Sequence, residues 1–199
     1  MAELTSEYSG HWRFDPTHTR IGFSTRHAMV TKVRGAFNDF DGVITVDADH
    51  PERSKVELTV EVASIDTRNA DRDQHLRTND FFDAPQFPEI TFVSSRVDQV
   101  DEGHFIVSGD VTIRGITKEI SIPIDFIGVE RDPMGNLRAG FEGSRRIDRQ
   151  DFGLKWNTAL DSGGVLVSDK ITLEFEVSAI KDEVSAGTAG TSGSPGPAA

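Results

Sequence analysis

The sequence predicts an all-β domain of roughly seven to nine antiparallel strands, interrupted by one short helix. Apolar and polar residues alternate along several segments, as half-buried strands require. Turn residues recur about every ten positions. Eighteen Gly and eight Pro in 199 residues leave little room for long helices.

Residues 1–11 carry few apolar groups and are expected to form a flexible N-terminus. The folded unit is read as 12–181, one domain with one core. Val56, Leu58, Val60 and Val62 alternate with Glu57, Thr59 and Glu61 and predict a strand. Alternation stops from Ser64 to Phe82. There Asp66-Thr67-Arg68 supplies cap-like side chains, and Ala70 to Leu76 has room for about two helical turns. Pro85 and Pro88 prevent a helix from continuing, and a strand from Glu89 to Val97 follows. Phe105, Val107, Val111 and Ile113 form one arm of a hairpin that turns at Arg114-Gly115, and Ile120, Ile122, Ile124 and Phe126 form the other. A second hairpin turns at Asp132-Pro133-Met134-Gly135-Asn136. Ile171, Leu173, Phe175 and Val177 mark the final strand, and 182–199, mostly Gly, Ser, Ala, Thr and Pro, reads as a disordered tail. Alternation alone is compatible with a closed barrel or a stacked sandwich.

Composition narrows the function. Thirty-three acidic against twenty-one basic residues give a net charge of −12, which at long range opposes nucleic acid and anionic surfaces as partners. No run approaches the roughly 20 apolar residues of a membrane-spanning helix. The first residues, Met1-Ala2-Glu3-Leu4-Thr5-Ser6-Glu7, lack the basic and apolar regions of a secretory signal, so a cytoplasmic location is expected. The absence of Cys excludes disulfides, thiolate metal ligands and thiol nucleophiles. Thirteen Phe against one Tyr and two Trp supply large rings without polar handles, suited either to a packed core or to a wide apolar cavity.

Several strings follow one another in a telling order. They start with Asp15-Pro16-Thr17-His18-Thr19, His27, Gly35-Ala36-Phe37 and Phe40-Asp41-Gly42. In the middle come Arg72-Asp73-Gln74-His75-Leu76, Asp80-Phe81-Phe82-Asp83 and Phe87-Pro88-Glu89-Ile90-Thr91-Phe92, then Gly109 to Lys118. Gly140-Phe141, Ile147 to Gly153 and Val167-Ser168-Asp169 complete the series. Taken in order over roughly 12–180, these strings resemble the YceI family of lipocalin-like polyisoprenoid-binding proteins, the last three resembling its closing strands. The resemblance implies an extended, lipocalin-like antiparallel β-barrel of about eight strands whose lumen holds a long isoprenoid, isoprenoid quinone, or fatty acid or amide, for transport, storage or sequestration. It leaves a homodimer open, and it implies frequent export, for which these first residues give no signal.

Burial of hydrocarbon, at about 0.8 kcal/mol per CH₂, would dominate affinity for such a ligand, and a few polar groups would read its head. His27, Arg72, His75 and Arg149 are the candidate donors to that head, with Asp73 orienting a neighbour. Each has a plain structural alternative: a helix-start ion pair for Arg72 and Asp73, a salt bridge to Asp148 or Asp151 for Arg149, and a satisfied interior or rim imidazole for His27 and His75. Phe81, Phe82, Phe87, Phe92, Phe141 and Phe152 are the candidate rings around the apolar tail, with core packing as the alternative.

An enzyme would have to build a metal or acid–base centre from His18, His27 and His75. Their spacing matches no short ligand motif, and no nucleophile elbow, phosphate loop or dinucleotide fingerprint is present. No catalytic residue, metal or cofactor is therefore expected beyond the bound lipid. The remaining rival is a closed, solid barrel acting in stress or protein interaction through its acidic surface or tail.

Overall fold

The computed structural model describes residues 4–182. Eleven strands form one antiparallel sheet: β1 Gly10–Phe14, β2 Arg20–His27, β3 Thr31–Phe37, β4 Phe40–Val46, β5 Lys55–Glu61, β6 Ile65–Asp66, β7 Glu89–Asp101, β8 His104–Ile113, β9 Ile116–Arg131, β10 Leu137–Asp148 and β11 Lys170–Lys181. The helix α1, Ala70–Arg77, interrupts them. Eight strands close on themselves in the order β1-β4-β5-β7-β8-β9-β10-β11, with β11 returning to β1. The closed arrangement decides for a barrel over a sandwich.

β11 pairs with two successive strands along one edge. Its last residues meet β1, with Trp12 opposite Lys181 and Phe14 opposite Ala179, while Thr172 to Glu176 meet β2. β3 and β4 repeat the arrangement, pairing with β2 and β1 in turn. Two bent strands thus carry the sheet from a closed lower half into a flared upper half, where β3 pairs only with the two-residue β6 on its far side. The upper end gathers the β2–β3 turn, α1, the β8–β9 turn and the connection from β10 to β11.

The bend between β1 and β2 is held by polar groups. The Asp15 amide donates to the Ser178 carbonyl, and the Thr19 hydroxyl both donates to that carbonyl and accepts from the Ser178 amide. Arg138 reaches across from β10 to the Asp15 carboxylate, the Ser178 hydroxyl and Asp132. Burial opposes ionisation of Asp15, but hydrogen bonds from Thr17, Arg138 and His18 outweigh it and hold its carboxyl well below the ordinary range.

Two inward-facing glycines admit rings from the neighbouring bent strand. A Cβ on Gly42 would come within 2.4 Å of the Phe14 ring, and one on Gly35 within 2.4 Å of Phe23. The rings cover bare backbone, a device that seals a curved sheet.

The alternating segments fold as strands, and α1 begins at Ala70 as expected, capped by the Asn69 side chain accepting from the Arg72 amide. Some boundaries move. β7 runs on to Asp101 with register shifts near Ser94 and Gln99, irregularities that let one long strand curve with the barrel wall. Val62 leaves β5 for a 3₁₀ turn. Ordered structure starts before Trp12: Ser6–Tyr8 form a 3₁₀ turn, Gly10 and His11 belong to β1, and the Trp12 indole donates to the Tyr8 carbonyl at 2.9 Å. Arg149–Phe152, in a string that resembled a closing strand, form a 3₁₀ turn, and no strand is assigned to Val167-Ser168-Asp169. The expected tail lies outside the described residues from 183 onward.

Because the folded-state pKa of Asp15 is depressed, its stabilisation is complete above the unfolded value of about 3.9 and disappears as pH falls through the folded value. Asp15→Asn is expected to cost about 2 kcal/mol at neutral pH and to flatten the loss of stability below about pH 4. Urea unfolding at pH 7 and pH 3 checks this; an unchanged difference between the two pH values would remove Asp15 from the account.

Candidate ligand-binding cavity

The inward parity of the strands encloses a cavity of about 260 Å³, far above the roughly 10–15 Å³ that one water needs on the same measure. Val56, Leu58 and Val60 of β5, Phe105, Val107, Val111 and Ile113 of β8, Ile120, Ile122 and Ile124 of β9, and Ile171, Leu173, Phe175 and Val177 of β11 all face it. The cavity extends from Leu4, Val46 and Ser54 at the lower end to Thr25, Leu154 and Val167 at the upper end. Among the described residues, only Thr25, Ser54 and Arg149 bring side-chain polar atoms to a wall otherwise made of hydrocarbon and glycine.

The flared upper end is roofed by the two excursions. Leu76, the single large apolar side chain of α1, faces the cavity, as do Phe81 and Phe82 just beyond the helix. Phe82 packs edge-on against Phe37 at 5.9 Å. On the far side, β9 and β10 pair only up to Ile124 and Gly143. Phe152 and Leu154 from the β10–β11 connection line the cavity, and Arg114 fixes that connection to the β8–β9 turn by donating to the Gly153 carbonyl. Trp156 joins the two roofs, 4.7 Å from the His75 ring and 5.3 Å from Phe81.

Of the candidate rings, Phe81, Phe82, Phe92, Phe141 and Phe152 line the cavity. Phe87 does not. It packs beside the β8–β9 turn, where its ring lies 2.8 Å from the place a Cβ on Gly115 would occupy. Phe14, Phe23, Phe37, Phe105 and Phe175 line the cavity as well. Phe105 and Phe175 could be found from strand alternation, whereas the rings on the bent strands carry no such clear signal.

The polar candidates do not converge. Arg72 donates through Nε to the Thr67 hydroxyl and through Nη2 to its carbonyl, both at 2.7 Å, while the buried Asp73 accepts from the Thr67 amide and hydroxyl. Both residues therefore anchor the start of α1 through Thr67 and make no direct ion pair. His75 Nε2 lies 2.8 Å from Asp80 Oδ2, with the ring edge-on to Phe81 and Trp156. Arg149, 4% exposed, is the only one of the five at the cavity. Its guanidinium donates to the carbonyls of Leu154, Trp156, Val167 and Ser168 and to Asp169 Oδ1, which occupies all five N–H groups. Neither Asp148 nor Asp151 is its partner; Asp148 pairs with Lys170 at 2.9 Å. His27 closes β2 at the upper rim, exposed, in a bridge with the cavity residue Val167.

A family model for the YceI-like domain matches residues 12–179. The chain belongs to the YceI family. A UPF0312 protein of Photorhabdus laumondii is 41% identical over 157 residues, covering 78% of this chain and 81% of that protein. The crystal structure of the Campylobacter jejuni YCEI protein superposes with a TM-score of 0.69 at 32% identity, covering 79% of this chain and 90% of that one. A polyisoprenoid-binding domain from Saccharophagus degradans, described as implicated in plant cell wall breakdown, shares the fold with a TM-score of 0.67 at 16% identity, covering 86% and 98%. Within this YceI barrel, Arg149 is the clamp that shapes the β10–β11 connection into a roof.

Arg149→Met removes the guanidinium donor from the Leu154, Trp156 and Ser168 carbonyls, while Val167 keeps the Asn157 amide at 2.7 Å, and is expected to cost about 3 kcal/mol, lowering the unfolding temperature by roughly 6–12 °C for a domain of this size. Thermal unfolding followed by circular dichroism checks it; a change of less than about 2 °C would show that the roof is held by other contacts.

Proposed function

We propose that this protein binds a long-chain apolar ligand in the barrel interior, a polyisoprenoid, an isoprenoid quinone, or a fatty acid or amide, and that it carries, stores or sequesters that ligand without chemically transforming it. The observation that carries the reading is the cavity wall, which runs between the two ends of the barrel with almost no polar atom on it. Such a wall stabilises hydrocarbon in proportion to length and discriminates weakly between chains. The shared fold of the Saccharophagus polyisoprenoid-binding domain supports the same class of ligand.

A binding role fits better than catalysis. Among the described residues no cluster of three His, Cys, Asp or Glu could hold a metal ion. Asp73 and His75 at the upper end are engaged in fixing α1 and its roof. In this reading the ligand's polar head stays at a mouth of the cavity. Thr25 and His27 at the upper rim meet it, while Arg72, Asp73, His75 and Arg149 act through the roofs they hold. The location is proposed to be cytoplasmic, and no cofactor takes part.

Native mass spectrometry of freshly purified protein, followed by organic extraction, tests the proposal directly. A stoichiometric isoprenoid, quinone or fatty amide is the expected finding. The companion variant, Leu173→Trp, fills the lumen without adding charge. It is expected to lower uptake of an apolar fluorophore about ten-fold, which corresponds to 1.4 kcal/mol, while leaving the unfolding temperature near that of the parent. Uptake unaffected by Leu173→Trp, or a protein that neither carries nor accepts any long-chain lipid, would sink the proposal in favour of a solid interaction module.

A further inference from the structure

The upper rim carries an exposed apolar tip at the mouth of the cavity. Met29 and Val30, at the β2–β3 turn, are 61% and 73% exposed, and Val165 across the rim is 36% exposed. The turn spans Ala28 to Val30 between the paired His27 and Thr31, and the Val30 amide donates to the His27 carbonyl at 3.1 Å. Its central residues, Ala28 and Met29, have φ of 48° and 62°. Asn-Gly is the usual choice for such a left-handed pair. Methionine here opposes the backbone preference and presents a large apolar side chain to solvent. The tip is also continuous with the cavity: Ala28 donates to Leu166, His27 bridges Val167, and Val167 and Thr25 line the lumen.

The charge around the tip is basic in an acidic protein. Residues 20–38 contain Arg20, Arg26, Lys32 and Arg34 and no carboxylate. Arg34, Ser24, Thr172 and Arg146 stand in one register row across β3, β2, β11 and β10, on the outer face. Arg34, Arg145 and Arg146 are exposed and, among the described residues, pair with no carboxylate, while Arg26 donates only to the Val30 carbonyl. Three of the nearby carboxylates are already engaged, while Asp151 and Asp161 of the β10–β11 connection are exposed and form no salt bridge among the described residues. Glu174 takes Ser24, Arg20 and Lys32, Asp148 takes Lys170, and Asp169 takes Arg149. The lower end, in contrast, gathers Asp47, Asp49, Glu52, Asp98, Asp101, Glu102 and Glu130 against Arg53, Lys55, Arg96 and Arg131, of which Arg96 pairs with Asp98. Met134 there is 90% exposed, but it sits beside these acids.

We propose that the upper rim docks on an anionic lipid bilayer. Met29 and Val30 enter the interface, the unpaired arginines meet lipid phosphates, and the ligand passes between bilayer and cavity without crossing water. The uneven charge orients the molecule, presenting the basic end and turning the acidic end away. The proposal rests on the lipid-binding reading above.

Co-sedimentation of the full chain with vesicles tests it. Phosphatidylcholine vesicles containing phosphatidylglycerol are expected to bind the protein about ten-fold more strongly than phosphatidylcholine alone at low salt, with the preference fading at high salt. Met29→Gly is expected to weaken that binding by about ten-fold while matching or raising the unfolding temperature, because glycine suits the left-handed position. Arg34→Glu with Arg146→Glu is expected to abolish the preference for the anionic lipid. Equal binding to both vesicles, or Met29→Gly sedimenting like the parent, would overturn the docking. A dimer that Met29→Glu dissociates without altering vesicle binding would overturn it too, by assigning the tip to a second copy. Uptake of an apolar fluorophore from water is the separate readout. All variants are expected to retain it, and its absence in the parent would remove the lipid-binding reading itself.

Discussion

The structure depends on one constraint: a single strand, β11, must pair with two strands in succession along the same edge. A straight partner would close the tube along its whole length. The jog at residues 15–19 instead splits the partner into β1 and β2, and β4 and β3 follow it. Hydrogen bonds from Asp15, Thr19 and Arg138 onto Ser178 satisfy the groups that the jog takes out of the ladder. The lower half can therefore close, and the upper half must flare. A flared sheet exposes apolar residues, which makes the two roofs necessary.

The roofs explain why polar residues are so numerous near an apolar site. α1 has almost no apolar face of its own, with Leu76 as its one large apolar contribution, so packing alone cannot hold it. Thr67, Arg72 and Asp73 fix its start, and the Arg149 clamp performs the same service for the opposite roof. Each buried charge is surrounded by acceptors or donors from backbone, which is how a guanidinium or carboxylate can sit near hydrocarbon without an isolated charge.

Strand parity was the most legible feature of the sequence. The residues singled out by alternation around Leu58, Val107, Ile122 and Phe175 are those whose side chains meet in the lumen, because a period of two leaves each side chain only one face to occupy. The polar candidates were far less legible. Arg149 stands in sequence between Asp148 and Asp151, but four of its five partners are carbonyls, at positions 154, 156, 167 and 168, and the fifth is Asp169. Backbone acceptors leave no mark in composition. Phe87 illustrates the converse error: it shares a string with Phe92, yet residues between strands follow no parity, and its ring falls at a turn outside the tube. The jog was equally hidden, since a strand that breaks and resumes looks like two unrelated short strands.

The pairing of Trp12 with Lys181 carries a consequence for how the cavity comes into being. Nearly the whole domain separates these partners, so the loop they close is among the longest this chain can form, and such contacts slow folding. During synthesis the barrel stays an open sheet until residues 170–181 have left the ribosome. A nascent chain can build α1 and the central hairpins, but it has no lumen to fill. On the proposed function, an apolar ligand is therefore accepted only by the finished molecule.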